Sequence, residues 1–73
     1  MKFRMFTDAI RNRKIAINID RVVRIEVASG SAGTTYIILD QMEDDGDGDK
    51  FHTTIEVAES FDIVFSRLNT IAE

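Results

Sequence analysis

The side chains best suited to chemistry in this 73-residue chain are the carboxylates of segment 43–50, Glu-Asp-Asp-Gly-Asp-Gly-Asp-Lys. Asp45, Asp47 and Asp49 alternate with other residues, and Glu56 is the twelfth residue counted from Asp45. Alternating carboxylates, flexible glycines and a distal glutamate are typical of a calcium loop, because Ca²⁺ takes six to eight oxygen ligands. The sixth position, however, holds Lys50 where such a loop has glycine. The favoured interpretation is a solvated hairpin loop, so neither a metal nor a cofactor is predicted.

The remaining polar groups do not form a catalytic pattern. His52 is the single histidine, and on a strand it would share a polar side with Thr54 and Glu56. Nucleophilic catalysis needs a serine, threonine or cysteine paired with a base and an orienting group, and no spacing in the chain suggests such a set. The four glycines match no phosphate-binding loop. The sequence therefore predicts no catalytic residue, and the protein is not expected to be an enzyme.

Charge is divided unevenly along the chain. Residues 1–24 carry seven basic and two acidic side chains, whereas residues 25–73 carry two basic and eleven acidic ones. Within the basic segment 11–24, Arg11, Arg13 and Lys14 are candidates for contacts with phosphates. Nucleic-acid binding on a sheet also needs exposed aromatic rings, for which Tyr36 and Phe6 are the candidates. Strands from both halves of the chain are expected to interleave in one sheet, which favours local neutralisation of these charges. An acidic pI of about 4.8 also argues against a dedicated nucleic-acid binder, so nucleic-acid binding is the less favoured alternative.

Hydrophobic periodicity places these side chains on strands and one helix. Apolar residues alternate with polar ones, as in strands, over residues 2–6, 14–19, 22–28 and 51–57. Residues 34–40 are β-branched and apolar, which is typical of a strand covered on both faces. From residue 60 to 71 they recur at helical spacing, with Ser60 as a candidate cap at the start. Asn18 and Asp20 suit a bend or a short helical turn, residues 29–33 a turn, and residues 41–50 an acidic flexible loop.

Runs of strands followed by a helix predict the α+β class. The expected architecture is a four- or five-stranded antiparallel β-meander with one C-terminal amphipathic α-helix packed on one face. Residues 1–73 should form a single domain close to the lower size limit for an independent core. The predicted core residues are Phe3, Met5, Ile15, Ile17, Val23, Ile25, Ile37, Leu39, Ile55, Val57, Phe61, Val64, Phe65 and Leu68.

The expected location follows from composition and from the start of the chain. There is no cysteine, the apolar run at residues 36–39 is far too short to span a membrane, and the charged N-terminus lacks the apolar centre of a signal peptide. We therefore expect a cytoplasmic protein that has no contact with membranes.

The favoured function is a non-enzymatic interaction or adaptor module that has a protein partner and forms homo-oligomers. Val22, Tyr36 and Ile38 are expected on the sheet face that the helix leaves uncovered, where apolar side chains would form a natural dimer surface. The alternatives are nucleic-acid binding through the basic segment and weak Ca²⁺ binding by the acidic loop.

A resemblance to a known family suggests a biological process for this chain. The run 14–26, Lys-Ile-Ala-Ile-Asn-Ile-Asp-Arg-Val-Val-Arg-Ile-Glu, is followed by a threonine-led apolar strand at 34–39 and a Val-Ala-Glu-Ser step at 57–60 into the helix. This pattern resembles the short flagellar and swarming-motility proteins of the FlbD/SwrD type, with Asn18, Asp20, Glu26, Glu59 and Ser60 at matching positions. The resemblance implies the same small antiparallel fold and a role in bacterial motility, and it brings no catalytic residue. A fainter similarity to the LytTR DNA-binding domain covers residues 17–26.

Overall fold

The computed structural model describes residues 2–28 and 33–69. In chain order, the described elements are strand β1 (Phe3–Asp8), strand β2 (Arg13–Asn18), a 3₁₀ turn (Ile19–Arg21), strand β3 (Val22–Val27), strand β4 (Thr35–Asp44), strand β5 (Lys50–Val57) and helix α1 (Phe61–Asn69). The strands form one antiparallel sheet in the order β2-β1-β5-β4-β3. The α+β prediction with a C-terminal helix is confirmed.

The sheet consists of a hairpin and a meander that meet at its centre. Strands β1 and β2 form the hairpin, β3, β4 and β5 form the meander, and β1 pairs with β5 only around Asp8 and Val57. The two edge strands, β2 and β3, are nevertheless joined by the three-residue 3₁₀ turn. Four Cα–Cα steps reach about 15 Å at most, whereas the edges of a flat five-stranded sheet lie about 19 Å apart. The sheet must therefore curl.

A cavity confirms this curl. A space of about 190 Å³ lies between edge strand β2 and strand β4, and its lining includes Ala16 and Ile17 from one side and Leu39 and Gln41 from the other. These two strands are separated by β1 and β5 in the sheet order, so only curvature brings their side chains to a common space.

The core lies between the sheet and helix α1. Its fully buried centre is Phe6, Ile17, Ile37, Val57 and Val64, and the side chains packed around that centre are Ile15, Val22, Ile25, Leu39, Ile55 and Leu68. All of the predicted core residues on strands β2, β4 and β5 are therefore confirmed, together with Ile25 on β3 and Val64 and Leu68 on the helix.

Four predicted core residues are wrong, because Phe3, Met5, Val23 and Phe65 are each about half exposed. On β1 the reason is the register with β2. Phe6 lies opposite Ile15, so even-numbered residues of β1 share the helix side with the isoleucines of β2. Phe6 is consequently 1% exposed, and the expectation that its ring is accessible is also wrong.

A bulge shifts the register of β3. Val22 pairs with Leu39 and Arg24 pairs with Ile38, which leaves Val23 without a partner on β4. This extra residue explains why Val22, rather than Val23, packs in the core.

Strands β4 and β5 extend further than their apolar rhythm predicts. Predicted loop residues 41–44 and 50 belong to the strands, and only residues 45–49 form the hairpin tip. A second irregularity lies along β4, between the pairs Ile38–Thr54 and Met42–His52. Between these pairs β4 has three residues, 39–41, whereas β5 has one, Thr53. The predicted short helical turn after Asn18 is confirmed. Most of the turn expected at 29–33 and the helix end at 70–71 lie outside the described residues.

Two charged side chains fasten the helix to β1. On the N-terminal side of Asp8, β1 no longer pairs with β5. There the carboxylate of Glu59 accepts the Thr7 amide through both oxygens, at 3.0 and 3.1 Å. Arg67 of the helix donates to the Met5 carbonyl at 2.8 Å and lies 3.3 Å from the Glu59 carboxylate. Side chains thus satisfy the edge of β1 where the neighbouring strand has ended.

Candidate interaction surface

The outer edge of β3 carries backbone groups that no described strand pairs with. Ala28 donates its amide to the Thr34 carbonyl at 3.1 Å, which fixes the alternation of hydrogen bonds along the β3–β4 ladder. Because successive residues of an antiparallel strand direct their amide and carbonyl to opposite sides, Ile25 and Val27 direct theirs away from β4. An edge of this kind can accept a further strand.

An apolar groove runs alongside this edge. It has a volume of about 260 Å³ and lies between helix α1 and strand β3. The lining residues are Ile19, Val22, Val23, Arg24, Ile25, Phe65, Leu68 and Asn69. Most of these side chains are apolar, so the groove can accept apolar side chains from an added strand.

Exposed apolar side chains flank the groove. Val27 is 67% exposed, Phe65 56% and Val23 51%. Phe65 also stacks on Phe61 of the same helix, with ring centroids 6.4 Å apart and planes inclined by 9°. We call Val23, Ile25, Val27 and Phe65 the β3 edge surface. It combines an unpaired strand edge with adjacent exposed apolar groups, as interaction sites often do.

A charged pair alternates with these apolar residues along the same strand. The Arg24 Nε atom lies 2.6 Å from the Glu26 Oε2 atom, and both side chains are about half exposed. An ion pair at this exposure adds little to stability, so either charge can be turned toward a partner at small cost.

The interaction residues expected from the sequence do not form one surface. Val22 packs on the helix side because of the β3 bulge, so its assignment to the uncovered face is wrong. Ile38 is 4% exposed, which leaves it little area for contact, and Tyr36 is half-buried between Glu26 and Glu56 on the neighbouring strands.

Much of the charge of the basic segment is neutralised locally. Three of its side chains form ion pairs: Arg11 with Asp8 at 3.6 Å, Arg21 with Asp40 at 3.0 Å and Arg24 with Glu26 at 2.6 Å. Arg13 and Lys14 are exposed at the start of β2 and have no ion pair among the described residues. The buried Phe6 ring cannot stack on a base, which removes one of the two aromatic candidates for a nucleic-acid interface.

The structure does not assemble the calcium-ligand set. Asp45 uses Oδ1 to accept the amides of Asp47 and Asp49, at 2.8 and 3.3 Å, and this bonding shapes the hairpin tip. Glu56 lies near the opposite end of β5 and accepts the Thr34 hydroxyl at 2.7 Å. Lys50 and Glu56 are six residue steps apart, or about 20 Å of strand, so Glu56 cannot share an ion with the tip. Among the described residues, no group of three histidine, cysteine or carboxylate side chains is placed to hold a metal.

His52 has a structural contact at the β4 irregularity. Its Nδ1 atom lies 3.0 Å from the Leu39 carbonyl oxygen, in the stretch where β4 has residues without partners on β5. The carbonyl can only accept, so Nδ1 carries the proton. This contact gives the Leu39 carbonyl a side-chain donor in the irregular stretch of β4.

Two carboxyl groups have perturbed acidity, and both perturbations have structural causes. Burial opposes ionisation of Glu59, but hydrogen bonds from Thr7 and the charge of Arg67 outweigh it, so the pKa of Glu59 is lowered. The amides of Arg11 and Ile10 donate to Asp8 in the β1–β2 turn and lower the pKa of that carboxyl. Both groups are therefore anionic acceptors that hold backbone in place, which is not the state expected of a general acid.

Sequence reasoning missed the accessibility of Val23 and Phe65 and the edge position of β3. Alternation assigns Val23 and Val27 to one face but does not show that the strand lies at the margin of the sheet. The sequence did contain one sign of an interaction strand, because Arg24 and Glu26 place opposite charges symmetrically about Ile25.

Comparison of the chain with models of protein families, with curated proteins and with solved structures finds no match. The resemblance to flagellar and swarming-motility proteins thus stays a prediction. Among residues 2–28 and 33–69, no helix has the length and apolar character needed to cross a membrane.

Proposed function

We propose that this protein is a non-enzymatic, cytoplasmic interaction module that binds another polypeptide by adding a strand to the outer edge of β3. The observation that carries the proposal is the β3 edge surface, in which the outward amides and carbonyls of Ile25 and Val27 lie beside exposed apolar side chains. Main-chain hydrogen bonds give such a complex its affinity, and the side chains beside them give it specificity.

The chemistry of the edge defines the ligand. A strand that pairs with β3 directs alternate side chains into the groove beside Phe65, and these should be apolar. Its other side chains lie beside Arg24 and Glu26, where charged groups of opposite sign are favoured.

The exposed area sets the strength of binding. Full burial of a valine or phenylalanine side chain contributes about 1.5–3 kcal/mol. Val23, Val27 and Phe65 are half to two-thirds exposed, so burying the rest of each contributes about 1 kcal/mol. Strand hydrogen bonds add to this sum and the loss of rigid-body freedom opposes it, so we expect a weak, transient complex.

The test is affinity capture of the tagged protein from its native lysate, with and without nuclease, using two matched variants. Val27→Lys places a charge on the β3 edge surface, whereas Ile10→Lys places the same charge on a residue that is 80% exposed in the β1–β2 turn. We expect a stoichiometric protein partner that survives nuclease, is lost with Val27→Lys and is retained with Ile10→Lys.

Two results would contradict the proposal. Equal capture by both variants would show that the β3 edge surface is not the binding site. Partners that disappear with nuclease, and also with Arg13→Gln combined with Lys14→Gln, would establish nucleic-acid binding through the exposed basic side chains of β2 instead.

A further inference from the structure

We propose that the strand added to β3 is the β3 strand of a second copy of this chain, antiparallel to the first and related to it by a two-fold axis through Ile25. The inference rests on the proposed function, because it names the partner of the same surface. Three features of the strand support it, namely its charge pattern, its backbone orientation and its exposed apolar residues.

The sequence of β3 is complementary to itself. Residues 23–27 read Val-Arg-Ile-Glu-Val, so antiparallel pairing about Ile25 places Arg24 of each copy opposite Glu26 of the other. The same register places Val23 opposite Val27 on both sides of the axis. A two-fold interface requires this kind of self-complementary patch, because each residue meets the counterpart of its own partner.

The backbone orientation permits the same register. Ile25 and Val27 direct their amides and carbonyls away from β4. Antiparallel pairing about Ile25 places these outward groups opposite the outward groups of the second copy. Ile25 of each copy can then donate to and accept from Ile25 of the other. A register shifted by one residue would place outward groups opposite inward ones and would form no ladder.

The apolar groups lie where this pairing would cover them. Val27 of one copy comes next to Val23 of the other, at the groove that Phe65 borders. The bulge leaves Val23 without a partner on β4, so this valine is not held in the β3–β4 ladder.

The other edge of the sheet lacks these properties. Strand β2 reads Arg-Lys-Ile-Ala-Ile-Asn and contains no carboxylate, so self-pairing of β2 would bring no opposite charges together. Exposed Lys14 on that edge is typical of the charges that discourage strand addition.

Sedimentation velocity across micromolar to millimolar concentrations tests the pairing with charge-reversal variants. Arg24→Glu places glutamates opposite each other and Glu26→Arg places arginines opposite each other, so each variant alone should dimerise roughly tenfold more weakly than the native chain. An equimolar mixture of the two should form a heterodimer as strong as the native dimer. The double variant, Arg24→Glu with Glu26→Arg, should recover self-association.

Controls separate association from folding. Lys14→Glu makes a charge change of the same size on edge strand β2 and should leave dimerisation unchanged. Thermal melting of each variant at low concentration should show little loss, because the Arg24–Glu26 ion pair is exposed. In the native dimer, the amides of Ile25 and Val27 should exchange more slowly as concentration rises.

Three outcomes would overturn the inference: a native chain that stays monomeric at millimolar concentration, a mixture of the two charge variants that does not associate, or an equal effect of Lys14→Glu. None of these refutes the proposed function, which fails if Val27→Lys captures the same protein partner as the native chain or if the captured partners disappear with nuclease. A monomeric chain whose partner is lost with Val27→Lys would show a β3 edge surface that binds a different polypeptide.

Discussion

Replacement of Glu59 by glutamine should weaken the attachment of helix α1 to strand β1. The Glu59 carboxylate accepts the Thr7 amide at 3.0 and 3.1 Å, accepts the Thr7 hydroxyl at 3.1 Å and pairs with Arg67 at 3.3 Å. Its side chain is 13% exposed, so water replaces these contacts poorly. Glutamine keeps the shape of the Glu59 side chain but replaces one acceptor oxygen with an NH₂ group. That group donates, and it would face the donors of Thr7 and Arg67.

The expected cost follows from those contacts. A hydrogen bond to a charged group contributes about 1.5–3 kcal/mol, and a buried amide left without an acceptor costs about 1–3 kcal/mol. Since glutamine retains one acceptor, we expect Glu59→Gln to lower the free energy of unfolding by about 2 kcal/mol. A domain of this size has about 4–11 kcal/mol in total, and its Tm should fall by about 8–16 °C.

The pH dependence of stability gives a second, independent test of the role of Glu59. The folded state lowers the pKa of Glu59, so the unfolded chain binds its proton more readily. The stabilisation is therefore complete above the unfolded pKa, near pH 4, and is lost as the pH falls through the folded pKa. Glu59→Gln removes this part of the acid dependence, while the contribution of Asp8, whose pKa is also lowered, remains.

The assay is urea denaturation of the native chain, Glu59→Gln and Glu56→Gln from neutral pH to about pH 3. Glu56 is the matched control, because it accepts the Thr34 hydroxyl at 2.7 Å and, within residues 2–28 and 33–69, no backbone amide. Equal losses in the two variants at neutral pH would refute the argument, and so would an unchanged acid profile in Glu59→Gln.

Three further predictions concern single positions. Val64→Ala should cost about 2 kcal/mol by chemical denaturation, because Val64 is fully buried, whereas Ile63→Ala on the exposed side of the helix should cost under about 0.5 kcal/mol. Asn12 has φ of 55°, so Asn12→Gly should be nearly neutral and Asn12→Ala should lose about 1 kcal/mol, and a large loss with glycine would contradict the turn geometry. Neutral His52 should show the Nδ1–H tautomer in ¹⁵N NMR spectra, and the Nε2–H form would contradict the bond to the Leu39 carbonyl.

Local pattern predicted the elements because alternation and helical spacing are properties of short segments. The isoleucines of β2 and the residues around Val64 identified a strand and a helix, and the structure confirms both. Hydrophobic periodicity failed where the neighbouring strand determines which side chains are buried. In β1, apolar residues occupy positions 3, 5 and 6, and only pairing with Ile15 determines that Phe6 faces the core. Since a shift of one residue exchanges the two faces of a strand, composition cannot resolve this choice.

The interaction surface depended on strand order, which is a long-range property. Periodicity assigned Val23 and Val27 to one face of a strand but gave no neighbours, so the edge position of β3 could not be inferred. The bulge at Val23 was also hidden, because the local sequence Val22–Val23 reads as an uninterrupted strand. By contrast, the weakness of the calcium pattern was readable directly from Lys50 at a glycine position.

The split of the sheet into a hairpin and a meander has a consequence for the order in which the protein folds. Each unit closes by contacts between neighbouring segments of chain, which form early because short loops lose little entropy on closure. Within the part of the chain that the structure describes, strand β1 pairs with strand β5 at Asp8–Val57, with 48 residues between the two in the chain, and two backbone hydrogen bonds flank that pair. The two units should therefore form first and dock late. We therefore expect the slowest step at the contacts that Glu59 and Arg67 make with β1. The ribosome must release the whole β5–α1 segment before β1 can complete its hydrogen bonds.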